Sequence, residues 1–176
     1  MKTVTAAVAA SLVALVAGCA TPGAGTLSAM PEALKPPAAE KLTLESFARG
    51  VQIYECAVAK DPPGRLEWIF KAPEAELFDT AGKRIGKHYA GPTWESEDGS
   101  RVVAAVKARD DAPQAGAIPW LLLGAKSNAG TGTFGRTTNI QRAGTAGGVA
   151  PAASCGKAGE VARVPYTATY YFYAPK

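Results

Sequence analysis

The densest run of chemically capable side chains lies between His88 and Arg101. It holds the single histidine of the chain with Tyr89, Trp94, Glu95, Glu97, Asp98 and Arg101, around an Ala90-Gly91-Pro92-Thr93 turn. The candidate binding residues are His88, Tyr89, Trp94, Glu95, Asp98 and Arg101. Trp94 and Tyr89 would supply stacking faces, and His88 or a carboxylate the polar anchor, as in pockets for small molecules or glycans. The competing reading is packing: Trp94 in a core, His88 bonded to backbone, and the acids solvated on a hairpin.

Catalytic chemistry is harder to assemble, and no catalytic residue is assigned. A Ser-His-Asp hydrolase would have to use His88, but no Gly-x-Ser-x-Gly elbow presents a nucleophile. Glu95, Glu97 and Asp98 are neighbours across a tight turn, a poor placement for two carboxylates flanking a sugar bond. One histidine and no Asp-x-Asp-x-Asp-Gly loop leave no metal site beyond loose carboxylate binding of calcium. Gly130-Thr131-Gly132-Thr133-Phe134-Gly135 matches the dinucleotide-loop spacing, yet strand-like Arg136-Thr137-Thr138-Asn139 follows it where a helix should open. It reads as a hairpin loop, and no cofactor is expected. Arg136 and Arg142 read as surface or ion-paired cations, with anion binding as the alternative.

The N-terminus sets the compartment. Lys2 is followed by an apolar run from Val4 to Ala17, broken only by Ser11, and then by Gly18-Cys19. The run suits a signal peptide and is too short for a permanent span. Leu15-Val16-Ala17-Gly18-Cys19 resembles the bacterial lipoprotein signal, which predicts cleavage after residue 18 and lipidation of Cys19. Ala20 at the next position implies outer-membrane sorting, facing the periplasm; the alternative is a secreted or periplasmic protein with an incidental cysteine. Acyl chains such as palmitate contribute ~0.8 kcal/mol per buried methylene, so the membrane is the expected partner through the lipid. Loss of residues 1–18 leaves 18 basic and 15 acidic side chains, interspersed, with no footprint for nucleic acid. Cys56 and Cys155 remain, and in an oxidising compartment such a pair is expected to form a disulfide. It would close a loop of roughly 100 residues and stabilise by ~4–5 kcal/mol in the chain-entropy treatment.

Residues 19–39, with their Ala, Pro, Gly, Ser and Thr, read as a flexible tether, and residues 40–176 as one domain. No segment of that domain keeps a helical period, whereas short β-branched and aromatic runs alternate with turn residues. Val51 and Ile53, and with them Cys56, are placed toward a core by the pattern from Gly50 to Cys56. Leu66–Phe70 forms a second strand, and Pro73–Leu77 reads as strand or a single helical turn. Glu76–Gly86 forms a hairpin with Gly82 left-handed, and Asp98-Gly99 suggests a type I′ hairpin. Ile118–Leu123 reads as a strand buried on both faces; Phe134–Gln141 and Tyr166–Tyr173 complete the set. About eight short strands at this spacing predict an all-β, antiparallel sandwich or barrel.

Several motifs then occur in order: Gly50–Cys56, His88-Tyr89-Ala90-Gly91-Pro92-Thr93-Trp94, Asp98-Gly99-Ser100, Ile118–Leu123, Ile140-Gln141-Arg142, Gly147-Gly148, Pro151 and Val164–Ala168. Together they resemble the exported bacterial and fungal proteins grouped as domain-of-unknown-function family 3455. Ala143-Gly144-Thr145 departs from the pattern, which has a bulkier pair before the threonine. The resemblance implies the fold and the exported location and carries no activity. The expected function is therefore a lipid-anchored, non-catalytic domain binding a small molecule, glycan or protein. The alternatives are an envelope enzyme with His88 as acid/base and a purely structural or stress-related lipoprotein.

Overall fold

The computed structural model describes Leu27, residues 30–61 and residues 63–176. The expected signal peptide and the expected lipidation site, Cys19, lie outside the described residues. Eight strands follow in chain order: β1 (Glu40–Val58), β2 (Leu66–Phe78), β3 (Arg84–Tyr89), β4 (Thr93–Ser96), β5 (Arg101–Asp110), β6 (Trp120–Ala129), β7 (Asn139–Gly147) and β8 (Val161–Pro175). Each pairs antiparallel with the next, and β8 returns to β1, closing a barrel. Closure removes the sheet edges that eight exposed strands would otherwise present.

Alternation sorts the side chains. Leu77, Trp94, Val102, Ile140, Tyr170 and Phe172 fill the interior, while the outer face carries ion pairs such as Arg84 with Glu76 and Glu97, Lys87 with Glu95, and Arg163 with Glu74. That is the reverse of the polar-inside, apolar-outside arrangement of a membrane-spanning barrel. Phe134 belongs to the β6–β7 loop, not to a strand. Its fully buried ring packs on Phe172 at 4.7 Å and fills the end of the barrel where that loop meets the β4–β5 turn.

The start of β6 is buried on both faces, as expected. Leu121 and Leu123 face the interior, while Trp120 and Leu122 join Ala143, Tyr171 and Tyr173 in an outer cluster capped by Met30 and Leu34. This corrects the tether: residues from Met30 onward are docked, with a short 3-10 turn at Glu32–Leu34. The cause is the aromatic stripe itself, which water would otherwise meet. Burying a Met or Leu side chain there contributes ~1.5–3 kcal/mol each. Gln141 Nε2 also donates to Leu34 O at 2.6 Å, and the Tyr173 hydroxyl donates to Gln141 Oε1 at 2.6 Å.

Three local expectations change. In β1 the phase is inverted: Gln52, Tyr54 and Cys56 are buried, while Val51 and Ile53 are only partly so. The inward polar residues belong to the cavity described below, which breaks the rule that the apolar member of an alternating pair points inward. Pro73–Leu77 is strand throughout, within β2; Pro73 pairs with Gln52 of β1, and β3 does not reach it, so proline sits where β2 is bordered on one side only. The β4–β5 connection is a type I turn closed by a glycine bulge. Gly99 has φ +82°, but among the described residues no non-glycine has positive φ, so Asp98 does not adopt the type I′ conformation. Several strands are also longer than expected; β1 has 19 residues and bends past β2 at Gly50, where a Cβ would lie 2.1 Å from Glu74 O.

The disulfide joins Cys56 and Cys155 with Cα atoms 5.8 Å apart. The strand adjacency it required is present: β1 pairs with β8, and Cys56 exchanges backbone hydrogen bonds with Gly159 and Glu160.

Candidate functional site

A cavity of about 740 Å³ opens at the end of the barrel opposite Phe134. Inward positions of four strands build its wall: Gln52 and Tyr54 on β1, His88 on β3, Trp94 on β4 and Tyr170 on β8. Leu121 and Leu123 add an apolar side from β6, and the β7–β8 loop closes over the opening with Val149 and Ala150. Three side-chain links hold that loop to the barrel. The Tyr54 hydroxyl donates to Gly148 O at 2.6 Å, Trp68 Nε1 donates to Ala153 O at 3.0 Å, and the disulfide fastens Cys155.

Aromatic contacts order the interior wall. His88 stacks on Trp94 with ring centroids 4.2 Å apart and planes 16° apart, and Tyr170 meets both rings edge-on at 5.2 and 5.3 Å. His88 is buried, with Nδ1 2.8 Å from Thr93 O. A carbonyl only accepts, so Nδ1 carries the proton and Nε2 keeps its lone pair. Burial pushes the imidazole pKa down from 6.5 to about 3; the Thr93 bond opposes this and the charge of Arg142 adds to it. His88 is therefore neutral at physiological pH.

The charge of the cavity is one-sided. Lys71, Arg109 and Arg142 line it, and no Asp or Glu does. Lys71 is offset by Glu55 at 3.4 Å, and Arg109 is exposed near Asp111 at 3.9 Å. Arg142 sits deeper. Its Nε and Nη2 donate to Pro119 O at 3.1 and 2.9 Å, and among the described ion pairs none includes it. Burial raises the pKa of Tyr54, Tyr166 and Tyr170, and in each case the Arg142 charge pulls the other way. The hydroxyls of Tyr166 and Tyr170 lie beside one another, Gln52 and Arg142, but neither makes a well-formed hydrogen bond. Gln52 Nε2 and Trp94 Nε1 are likewise buried without a partner.

The sequence-predicted residues divide among three places. His88 and Trp94 share the cavity wall and the core, so the packing and pocket readings both describe them. Tyr89 and Glu95 are on the outer face: the Tyr89 hydroxyl donates to Glu95 Oε2 at 2.6 Å, Lys87 pairs with Glu95 at 3.1 Å, and Arg101 is Glu95's exposed neighbour on β5. Tyr89 is therefore no second stacking face beside Trp94, because adjacent strand residues point to opposite sides. Asp98 is at the far end, where it accepts from the Ser100 N–H and hydroxyl and from the Thr133 N–H and hydroxyl. Those bonds, Ser100's first, hold its carboxyl well below the usual range and clip the β4–β5 turn to the β6–β7 loop.

Sequence reading missed Gln52, Tyr54 and Tyr170 as site residues, and it held anion binding by Arg142 only as the alternative. Arg142 in particular is neither an outward surface cation nor ion-paired. The available signal was the family motifs themselves: Gly50–Cys56, the His88–Trp94 run, Ile118–Leu123 and Ile140–Arg142 all reach this one cavity. Among the described residues no three His, Cys, Asp or Glu side chains are grouped to hold a metal. No curated protein and no solved structure matches the chain. Residues 37–174, which span the barrel from the approach to β1 into the end of β8, match the family described as Protein of unknown function (DUF3455), and the chain belongs to that family.

Proposed function

We propose that this domain is a non-catalytic binding barrel that holds a small molecule at its open end, displayed at a bacterial envelope by a lipid on Cys19. The observation that carries the reading is the cavity of about 740 Å³, within the 300–1,000 Å³ range of ligand sites and walled by aromatic rings with a few convergent polar groups. A purely structural lipoprotein would have no use for buried donors around a hollow, since each unsatisfied group costs ~1–3 kcal/mol.

The enzyme alternative has less support. A general base works best with a pKa near the operating pH, and His88, at about 3, is far from it. Its Nδ1 partner is a backbone carbonyl and no carboxylate lines the cavity, so no negative charge there would stabilise an imidazolium. Thermal-shift screening of the purified protein against glycans, organic anions and metabolites tests the binding reading. A ligand that stabilises the wild type but not Ala150→Trp, which fills the mouth, supports it. A turnover abolished by His88→Ala would replace it with the enzyme.

A further inference from the structure

Several polar groups of the cavity wall are donors, with His88 Nε2 as an acceptor beside them. Trp94 Nε1 and the Arg142 guanidinium can only donate, and the unpartnered atom of Gln52 is its amide nitrogen. Tyr170 adds a buried hydroxyl with no well-formed bond. Pro119 O fixes the Arg142 fork through Nε and Nη2, and the Tyr170 hydroxyl lies beside the guanidinium. A cationic ligand would need a carboxylate, and the lining has none. The opening has a second property. Of the seven exposed large hydrophobic residues described, Phe70, Val106 and Val149 all border this cavity, each between 44 and 54 % exposed. Bare apolar side chains ringing one mouth mark a contact surface for an apolar group.

We propose that the cavity receives an organic anion: a single anionic head group held by Arg142 with Gln52, Trp94 and Tyr170, and an apolar body resting on Phe70, Val106 and Val149. This deepens the binding reading above and rests on it. The head group replaces the carboxylate that Arg142 lacks, and it supplies acceptors for donors the barrel leaves unpaired. Charge-assisted bonds of this kind are the stronger class, and the guanidinium fork suits an oxyanion with two or three oxygens. Arg109 and Lys71 at the rim add attraction to the same sign of charge.

The test uses two fluorescent dyes with one skeleton, anilinonaphthalene sulfonate and the uncharged phenylnaphthylamine, titrated into the purified protein. The sulfonate dye should bind at least about tenfold more tightly, the worth of one charge-assisted hydrogen bond. Arg142→Gln should remove that difference by weakening the sulfonate dye. Tyr170→Phe deletes a hydroxyl that makes no well-formed hydrogen bond, so it keeps the fold should Arg142→Gln fail to fold, and it should weaken the sulfonate dye by roughly threefold. Decanoate should displace the dye better than decanol, and inorganic phosphate should not displace it. Equal affinity for both dyes, unchanged in either variant, would overturn the anion inference and leave the cavity reading standing. Displacement by phosphate as effective as by decanoate would overturn the apolar-body half. No binding of either dye, or binding unaffected by Ala150→Trp, would remove the binding site itself.

Discussion

Lowering the pH from about 7 to about 5 should destabilise this protein through one side chain, His88. The unfolded imidazole takes up a proton near 6.5, whereas the folded one resists protonation down to about 3, chiefly because it is buried. Between those values the unfolded state holds more protons, so stability falls as pH falls, starting near 6.5 and ending near 3. At about pH 5 the deficit is roughly 1.5 pK units, or about 2 kcal/mol. For a domain of this size that lowers Tm by roughly 6–10 °C. The window is clean because the chain has one histidine. The depressed carboxyls, Glu95 and Asp98, begin to cost stability only below 4.5 and 3.8, their ordinary values. The assay is urea unfolding at closely spaced pH values for the wild type and His88→Phe, which keeps a ring against Trp94 and Tyr170 but cannot titrate. His88→Phe loses the bond to Thr93 O and should be ~1–3 kcal/mol less stable at pH 7, yet flat between pH 7 and 5. A wild type that is flat over this range, or a His88→Phe protein that keeps the wild-type slope, would refute the burial argument.

Reduction of Cys56–Cys155, or Cys56→Ala with Cys155→Ala, should cost ~4–5 kcal/mol and also weaken dye binding, because the bridge holds the loop that walls the cavity; calorimetry and titration with and without reductant measure both. Leu34→Ala should cost ~2–4 kcal/mol by opening a hollow under the outer aromatic cluster, whereas a free tether would show no change in urea midpoint. Cys19→Ser should leave the protein unprocessed or release it from membranes; membrane fractionation of a processed Cys19→Ser protein would end the lipid-anchor proposal. Gly50→Val should prevent folding or cost more than 3 kcal/mol, on the order of a severe core clash, because its Cβ would overlap Glu74 O and Ala75, and circular dichroism would register the loss.

How much of this was legible depends on the range of each interaction. Strand identity is local: the apolar run from Trp120 to Leu123 and the aromatic and β-branched run from Tyr166 to Tyr173, with glycines at the turns, specify extended segments wherever they sit. Gly82 and Gly99 mark their hairpins because only glycine takes positive φ without strain, although the flanking hydrogen bonds, not the dipeptide, chose a type I turn over type I′ at Asp98. The Cys56–Cys155 pair is long-range, yet it was readable because counting and compartment leave no other partner.

The site was different. The sequence placed His88, Tyr89, Trp94, Glu95, Asp98 and Arg101 within fourteen consecutive positions, and strand alternation then sent His88 and Trp94 inward and Tyr89 and Glu95 outward, while the turn carried Asp98 to the far end. Proximity along a strand is divided between two faces, and only barrel closure decides which face becomes a cavity. Arg142 lies 54 positions from His88 by the chain's numbering, and reaches it only because β7 and β8 close onto β1 around a common interior. The same closure turned Gln52 and Tyr54 inward against the expectation for Val51 and Ile53, and it created the outer aromatic stripe that draws Met30 and Leu34 down from the tether. Composition and period thus determined that the chain forms antiparallel strands with a cross-link. The wall of the cavity, its one-sided charge and the docking of the N-terminal segment were decided by which strand met which, a property no local window contains.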